Sequence, residues 1–200
     1  MRVYDTSGVQ AQLPGSYEQL PAGGHICQIL SARSEERNNV EYVVLTLDIR
    51  EGSTYDGFYK RMYDRMTARQ TSAEVASRWP SSAEYWISPE DRDNPGKLNP
   101  RFKGLITVIE NDNPGFRFDF SRPDERLLRG KRIGFVFREE EYISTSNELR
   151  TTIKCCWPVS ADKALSEPAP QVKKLDASKK PRTIGGMNFK PVQEEKLPWE

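Results

Sequence analysis

Tyrosine and arginine alternate at Tyr59, Arg61, Tyr63 and Arg65 within the segment FYKRMYDRM. Alternate residues of a β-strand share one face. Read as the chain's third strand, this segment sets rings and cations in a single row. Flat rings stack on bases, worth about 1–3 kcal/mol per base, and cations hold phosphates. That combination is what a single strand of nucleic acid requires of a protein surface. Arg50, Lys60, Arg132, Arg138, Arg150 and Lys154 extend the row if their faces converge. The competing reading buries Tyr59 and Tyr63 in the core, with the arginines reaching out from a rim.

A second set of residues stands at the C-terminus, NFKPVQEEKLPWE. Glu194 and Glu195 precede Leu197, Pro198 and Trp199, an aromatic anchor beside acids. Such a peptide can dock in a basic-rimmed apolar pocket of a partner. The tip resembles the acidic-hydrophobic end of bacterial single-strand-binding proteins, which implies replication or recombination proteins as partners. It departs from that pattern where Lys196 interrupts the acids and Glu200 follows the tryptophan. The plainer reading is a solvated terminus. Lys173, Lys174, Lys179, Lys180 and Arg182 add weak phosphate contacts or keep the segment soluble.

Enzymatic chemistry finds less support. Glu139, Glu140 and Glu141 are consecutive, so on a strand they diverge and read as a charged strand end. His25 is the only histidine, with no evident nucleophile partner. The three cysteines, Cys27, Cys155 and Cys156, include an adjacent pair and no CxxC, which suits neither a disulfide framework nor zinc. No phosphate-cradling glycine motif is present. The expectation is a non-enzyme without metal or cofactor.

The elements that must carry these residues are mostly strands. Charge is balanced, at +1 over 200 residues, so any nucleic-acid face must concentrate its cations locally. Residues 1–22 read as an irregular arm. HICQILSAR reads as a first strand. EYVVLTLDIR is a second, with Val43, Leu45, Leu47 and Ile49 on one face and Tyr42, Val44, Thr46, Asp48 and Arg50 on the other. Residues 80–100 hold four prolines and read as a loop or insertion. Phe102, Leu105, Ile106 and Ile109 follow helical spacing. KRIGFVFREEEYI and LRTTIKCCWPV are two more strands. Ile133, Phe135 and Phe137 share a face in the first of these, and Ile153, Cys155 and Trp157 in the second.

The expected organisation is an arm over 1–22 and a mainly β domain over 23–160. A helical or loop insertion falls near 66–126, between strands 3 and 4, and a disordered tail covers 161–200. Five strands in this order suit a Greek-key barrel of the OB type. No stretch approaches the roughly 20 apolar residues of a membrane span. The N-terminus lacks a signal peptide's apolar centre, so a reducing cytoplasm is the expected location.

Five segments, LPAGGHICQIL, EYVVLTLDIREG, FYKRMYD, FKGLITVIENDNPGFRFDF and LLRGKRIGFVFREEEY, together resemble a family of phage and prophage proteins of Gram-positive bacteria. That family is uncharacterised or described as single-stranded-DNA-binding-like. The resemblance spans roughly residues 20–158 and is most specific in its last two segments. It implies an OB-like barrel and a place in phage DNA replication or recombination. It implies no catalytic residue. The remaining alternative is a module that binds a host or phage protein through its barrel or its tail.

Overall fold

The strongest apolar alternations become the middle of the sheet. In the computed structural model, which describes residues 18–51, 54–68 and 78–176, β1 (Gly23–Arg37) and β2 (Val40–Ile49) form a long antiparallel hairpin. Asn38 and Asn39 turn it with φ of 54° and 60°. Two successive left-handed residues are what a two-residue hairpin loop of the primed type demands, and asparagine adopts them at low cost. β4 (Arg132–Ile143) pairs with the other edge of β1, β5 (Leu149–Val159) pairs with β4, and β3 (Glu84–Ile87) pairs with β2. The result is one five-stranded antiparallel sheet in the order β3-β2-β1-β4-β5. It is not closed into a barrel: β3 and β5 are its edges.

One face of the sheet carries the core. Cys27, Ile29, Leu45, Leu47, Ile49, Ile133, Phe135 and Phe137 are fully buried there. Helix α2 (Pro100–Asp112) covers them with Phe102, Leu105, Ile106 and Ile109, the four residues that its spacing singled out. Each such side chain stabilises the fold by roughly 1.5–3 kcal/mol. The helix starts where Asn99 accepts from the Arg101 amide at 2.9 Å, with Pro100 in the first turn. At its end, Asn113 bonds both the amide and the carbonyl of Arg132, which fixes the helix to the start of β4.

Three expectations need correction. Residues Phe58–Ala68 form helix α1, not a third strand. Tyr59 and Tyr63 lie four residues apart, as do Arg61 and Arg65, and a four-residue spacing satisfies the strand period and the helix period alike. The buried carboxylate of Asp48 decides between them. Its Oδ1 accepts from the Tyr59 amide at 3.0 Å and the Lys60 amide at 3.4 Å, supplying acceptors to the helix's first turn. Lys60 and Asp64 then pair along the helix at 2.8 Å. The third strand is instead Glu84–Ile87, inside the proline-rich stretch read as an insertion. Helices therefore fall on both sides of β3.

The second correction concerns Trp157. Val136 pairs with Trp157 and Phe137 with Cys155, so Cys156 is an extra residue. That bulge moves Trp157 off the face of Ile153 and Cys155 and leaves it 40% exposed beside Val136.

The third concerns the expected linker. Residues 161–176 pack on the domain. Helix α3 (Ala161–Ala164) lies over Ile26 and Val159 on the face opposite the core. Asp112 accepts from the Ser160 hydroxyl and the Ala161 amide, both at 2.8 Å. Further on, the Lys173 amide donates to Glu139 and the Glu141 amide donates to Lys173. This short parallel bridge covers the edge of β4 beyond the last pair with β1, Gly23 and Phe137. An open strand edge is thereby closed.

Candidate nucleic-acid interface

The face of β1–β3 turned away from the core is neither smooth nor apolar. Arg33, Glu35 and Arg37 alternate on β1. The registers set Tyr42, Val44 and Thr46 of β2, and Glu84 and Trp86 of β3, on the same side. A groove of about 1280 Å³ opens over this floor, lined by Ser31, Arg33, Thr46, Glu84 and Trp86. Tyr63 and Met66 of α1, Arg78, Trp79 and Thr152 of β5 also line it. A second depression of about 580 Å³ continues past Trp86 to Tyr42, Arg92 and Arg101.

Each ring is held in place. The Trp79 indole donates to the Leu47 carbonyl at 3.1 Å, where β2 has run beyond its pairing with β3. Tyr63 lies against Trp79 with centroids 5.4 Å apart and planes 32° from parallel. Trp86 and Tyr42 meet edge to face at 5.8 Å. Cations sit over both: Arg37 is 6.0 Å from the Trp86 ring, and Arg92 is 5.7 Å from Tyr42. The Arg92 guanidinium also donates to the Tyr42 hydroxyl. Exposed pairs of this kind contribute about 0.5–1 kcal/mol and hold the rings ready. At the centre, Arg33 bonds Glu84 at 2.9 Å, Glu35 at 3.3 Å and the Thr46 hydroxyl at 3.4 Å.

Of the residues singled out in sequence, the structure brings only Tyr63 to this groove. Tyr59 is buried and stacks on Phe137, and burial pushes its phenol far above the ordinary value. Arg61 pairs with Glu18 at 2.8 Å. Arg65 stands half-buried in the last turn of α1. Arg50 bonds Asp56 at 3.0 Å, and Arg132 bonds Glu51 at 2.8 Å and Asp162 at 3.2 Å. Arg150 pairs with Glu148 at 2.6 Å near the β4–β5 turn. Arg138 and Lys154 converge on Glu140 at 2.7 and 4.0 Å, and Lys173 joins them at 3.5 Å. Partial burial opposes the Glu140 charge, but these three cations outweigh it and hold the carboxyl below its ordinary value. The cations of the expected track therefore form scattered ion pairs, not a continuous row.

Trp86, Tyr42, Arg33, Arg37 and Arg92 were missed. The available signal was the short apolar run EYWI between Pro80 and Pro89, a buried-strand pattern that the neighbouring prolines obscured. The tip residues Glu194, Glu195, Leu197, Pro198 and Trp199 lie outside the described residues, as do Lys179, Lys180 and Arg182.

Other reactive side chains are elsewhere. Cys27 and Cys155 are buried free thiols, with burial raising both, and Cys156 is half-buried. Among the described residues, no group of three or more His, Cys, Asp or Glu could hold a metal ion. Among those residues no helix is long and apolar enough to cross a membrane. No protein-family model matches the chain, and no curated protein matches it.

Proposed function

We propose that the protein binds single-stranded DNA without catalysis, through the outward face of β1–β3. One observation carries this reading. Tyr63 on the groove wall and Trp86 and Tyr42 on its floor follow one another along the groove, with Arg37, Arg78 and Arg92 among them. Base stacking with nearby cations suits a single strand, because a duplex keeps its base faces hidden. The sheet order β3-β2-β1-β4-β5, with α2 entering between β3 and β4, supports reading the fold as an OB-type Greek key with its seam between β3 and β5. OB folds present oligonucleotides to the same strands 2 and 3. The resemblance to phage and prophage proteins favours a role in DNA replication or recombination in a bacterial cytoplasm, with the C-terminal tip recruiting partner proteins.

A second reading, a protein-interaction module, draws on the internal pairing of so many surface cations. Fluorescence anisotropy with a labelled oligo-dT of about 30 nucleotides separates the two. Binding that weakens with salt and survives a duplex competitor is the expected result. Absence of binding at low salt would leave the interaction module standing.

A further inference from the structure

The Arg33 guanidinium lies at the middle of the groove floor, yet its charge is already answered. It donates through Nε and Nη2 to Glu35, through Nη2 to Glu84 and through Nη1 to Thr46. Arginine has five N–H groups, so these four bonds leave one Nη1–H without an acceptor. The Thr46 hydroxyl, on a largely buried residue that lines the groove, spends a lone pair on Arg33 and carries one O–H donor of its own. Two donors thus stand side by side on the floor, in a groove flanked by Tyr63 and Trp86. Two carboxylates against one guanidinium make the spot unfavourable for a phosphate. A strand in this groove must turn its bases to the floor and its backbone to Arg37, Arg78 and Arg92.

We infer that Arg33, fixed by Glu84 and Glu35, reads base edges together with Thr46 and gives the face a preference for thymine and guanine over adenine. The inference rests on the proposed single-strand binding and adds a specificity determinant to it. Guanine presents O6 beside N7, and thymine presents O4, whose two lone pairs can accept from both donors. Adenine sets an amino donor next to N7 and next to N1, which opposes one donor of the pair.

The test measures anisotropy of fluorescein-labelled dT, dA and abasic strands of about 20 nucleotides on the full chain, longer than one site. The wild type should favour dT over dA by at least about fivefold, the low end of what one base contact supplies. Arg33→Lys keeps the charge but loses the fork. It should abolish the preference by lowering dT affinity to the level of dA. Arg92→Ala should instead lower the salt slope by about 0.7, as for one lost phosphate contact. Thr46→Val, near-isosteric, removes the second donor and should reduce the preference even if Arg33→Lys fails to fold. Equal dT and dA affinity in the wild type overturns the inference, as does a preference retained in the two variants. Both results leave single-strand binding intact. Wild-type failure to bind any of the three strands overturns the proposed function itself.

Discussion

Replacing Asp48 should separate the helix that builds one groove wall from the sheet that builds its floor. Asp48 is fully buried, and its Oδ1 accepts from the amides of Ile49, Tyr59 and Lys60. Asp48→Ala strips the acceptor from all three donors. Losing a helix cap costs about 0.5–2 kcal/mol, and each buried donor left unsatisfied costs about 1–3 kcal/mol. Relief of a desolvated charge offsets part of this, so a net loss of about 2–3 kcal/mol is expected. At about 2–4 °C per kcal/mol for a chain of this size, thermal unfolding should fall by about 4–12 °C. Asp48→Asn keeps a carbonyl acceptor and removes the charge, and should stay within about 1 kcal/mol of wild type. The pH dependence gives a second readout. Burial raises the folded-state pKa of the Asp48 carboxyl, with the three amide bonds and Arg50 opposing it. A raised folded value means that its contribution to stability is complete below the unfolded pKa and is lost as pH rises through the folded pKa. Asp48→Asn should lack that loss. Thermal melts by circular dichroism at several pH values measure both effects. If Asp48→Asn proves as damaging as Asp48→Ala, the charge and its pairing with Arg50 matter, and the capping argument is wrong.

Two further outcomes follow from the packing. A Cβ at Gly24 would lie 1.8 Å from the Ala164 carbonyl oxygen, so Gly24→Ala should dislodge α3. Overpacking of this kind costs about 1–3 kcal/mol, and limited proteolysis should then cut within residues 160–176, which wild type protects. His25 is buried against Phe137 and donates from Nε2 to the Pro21 carbonyl at 2.9 Å. Desolvation lowers its pKa despite that bond. Stability should therefore be complete above the unfolded value of about 6.5 and fall as pH drops through the folded pKa. His25→Gln, compared by thermal melts at pH 8 and pH 5.5, should show a smaller difference than wild type.

The elements most legible in the sequence were those with one dominant period. Val43, Leu45, Leu47 and Ile49 could only be a strand face, and Phe102, Leu105, Ile106 and Ile109 a helix face, and both stand so. The segment at 58–68 was ambiguous because residues four apart align on either element. What resolved it was Asp48, ten residues before the start of α1 and supplied by a neighbouring strand. A contact made only after folding leaves no local trace. Trp157 was misplaced by a one-residue bulge, which reverses every later side chain without changing composition. The groove was hidden for a related reason. Arg33, Thr46 and Trp86 come from three strands and meet only through register. Alternation set Thr46 on the less apolar face of its strand but could not say which faces of neighbouring strands adjoin. The chemistry sought was rings with cations. Its members were drawn from a helix whose best ring, Tyr59, is spent on the core.

The central claim is that the β1–β3 face, joined by Tyr63 alone of the tyrosine–arginine row on α1, takes up the strand. The most direct measurement compares oligo-dT affinity for wild type, the double variant Trp86→Ala with Tyr42→Ala, and Tyr59→Phe, each checked for folding by circular dichroism. Trp86 and Tyr42 are half-buried and border the groove, so their loss should weaken binding by at least about tenfold, the scale of one or two lost base stacks. Tyr59→Phe should leave affinity unchanged, since that ring faces Phe137. Unchanged affinity in the folded double variant would contradict the account.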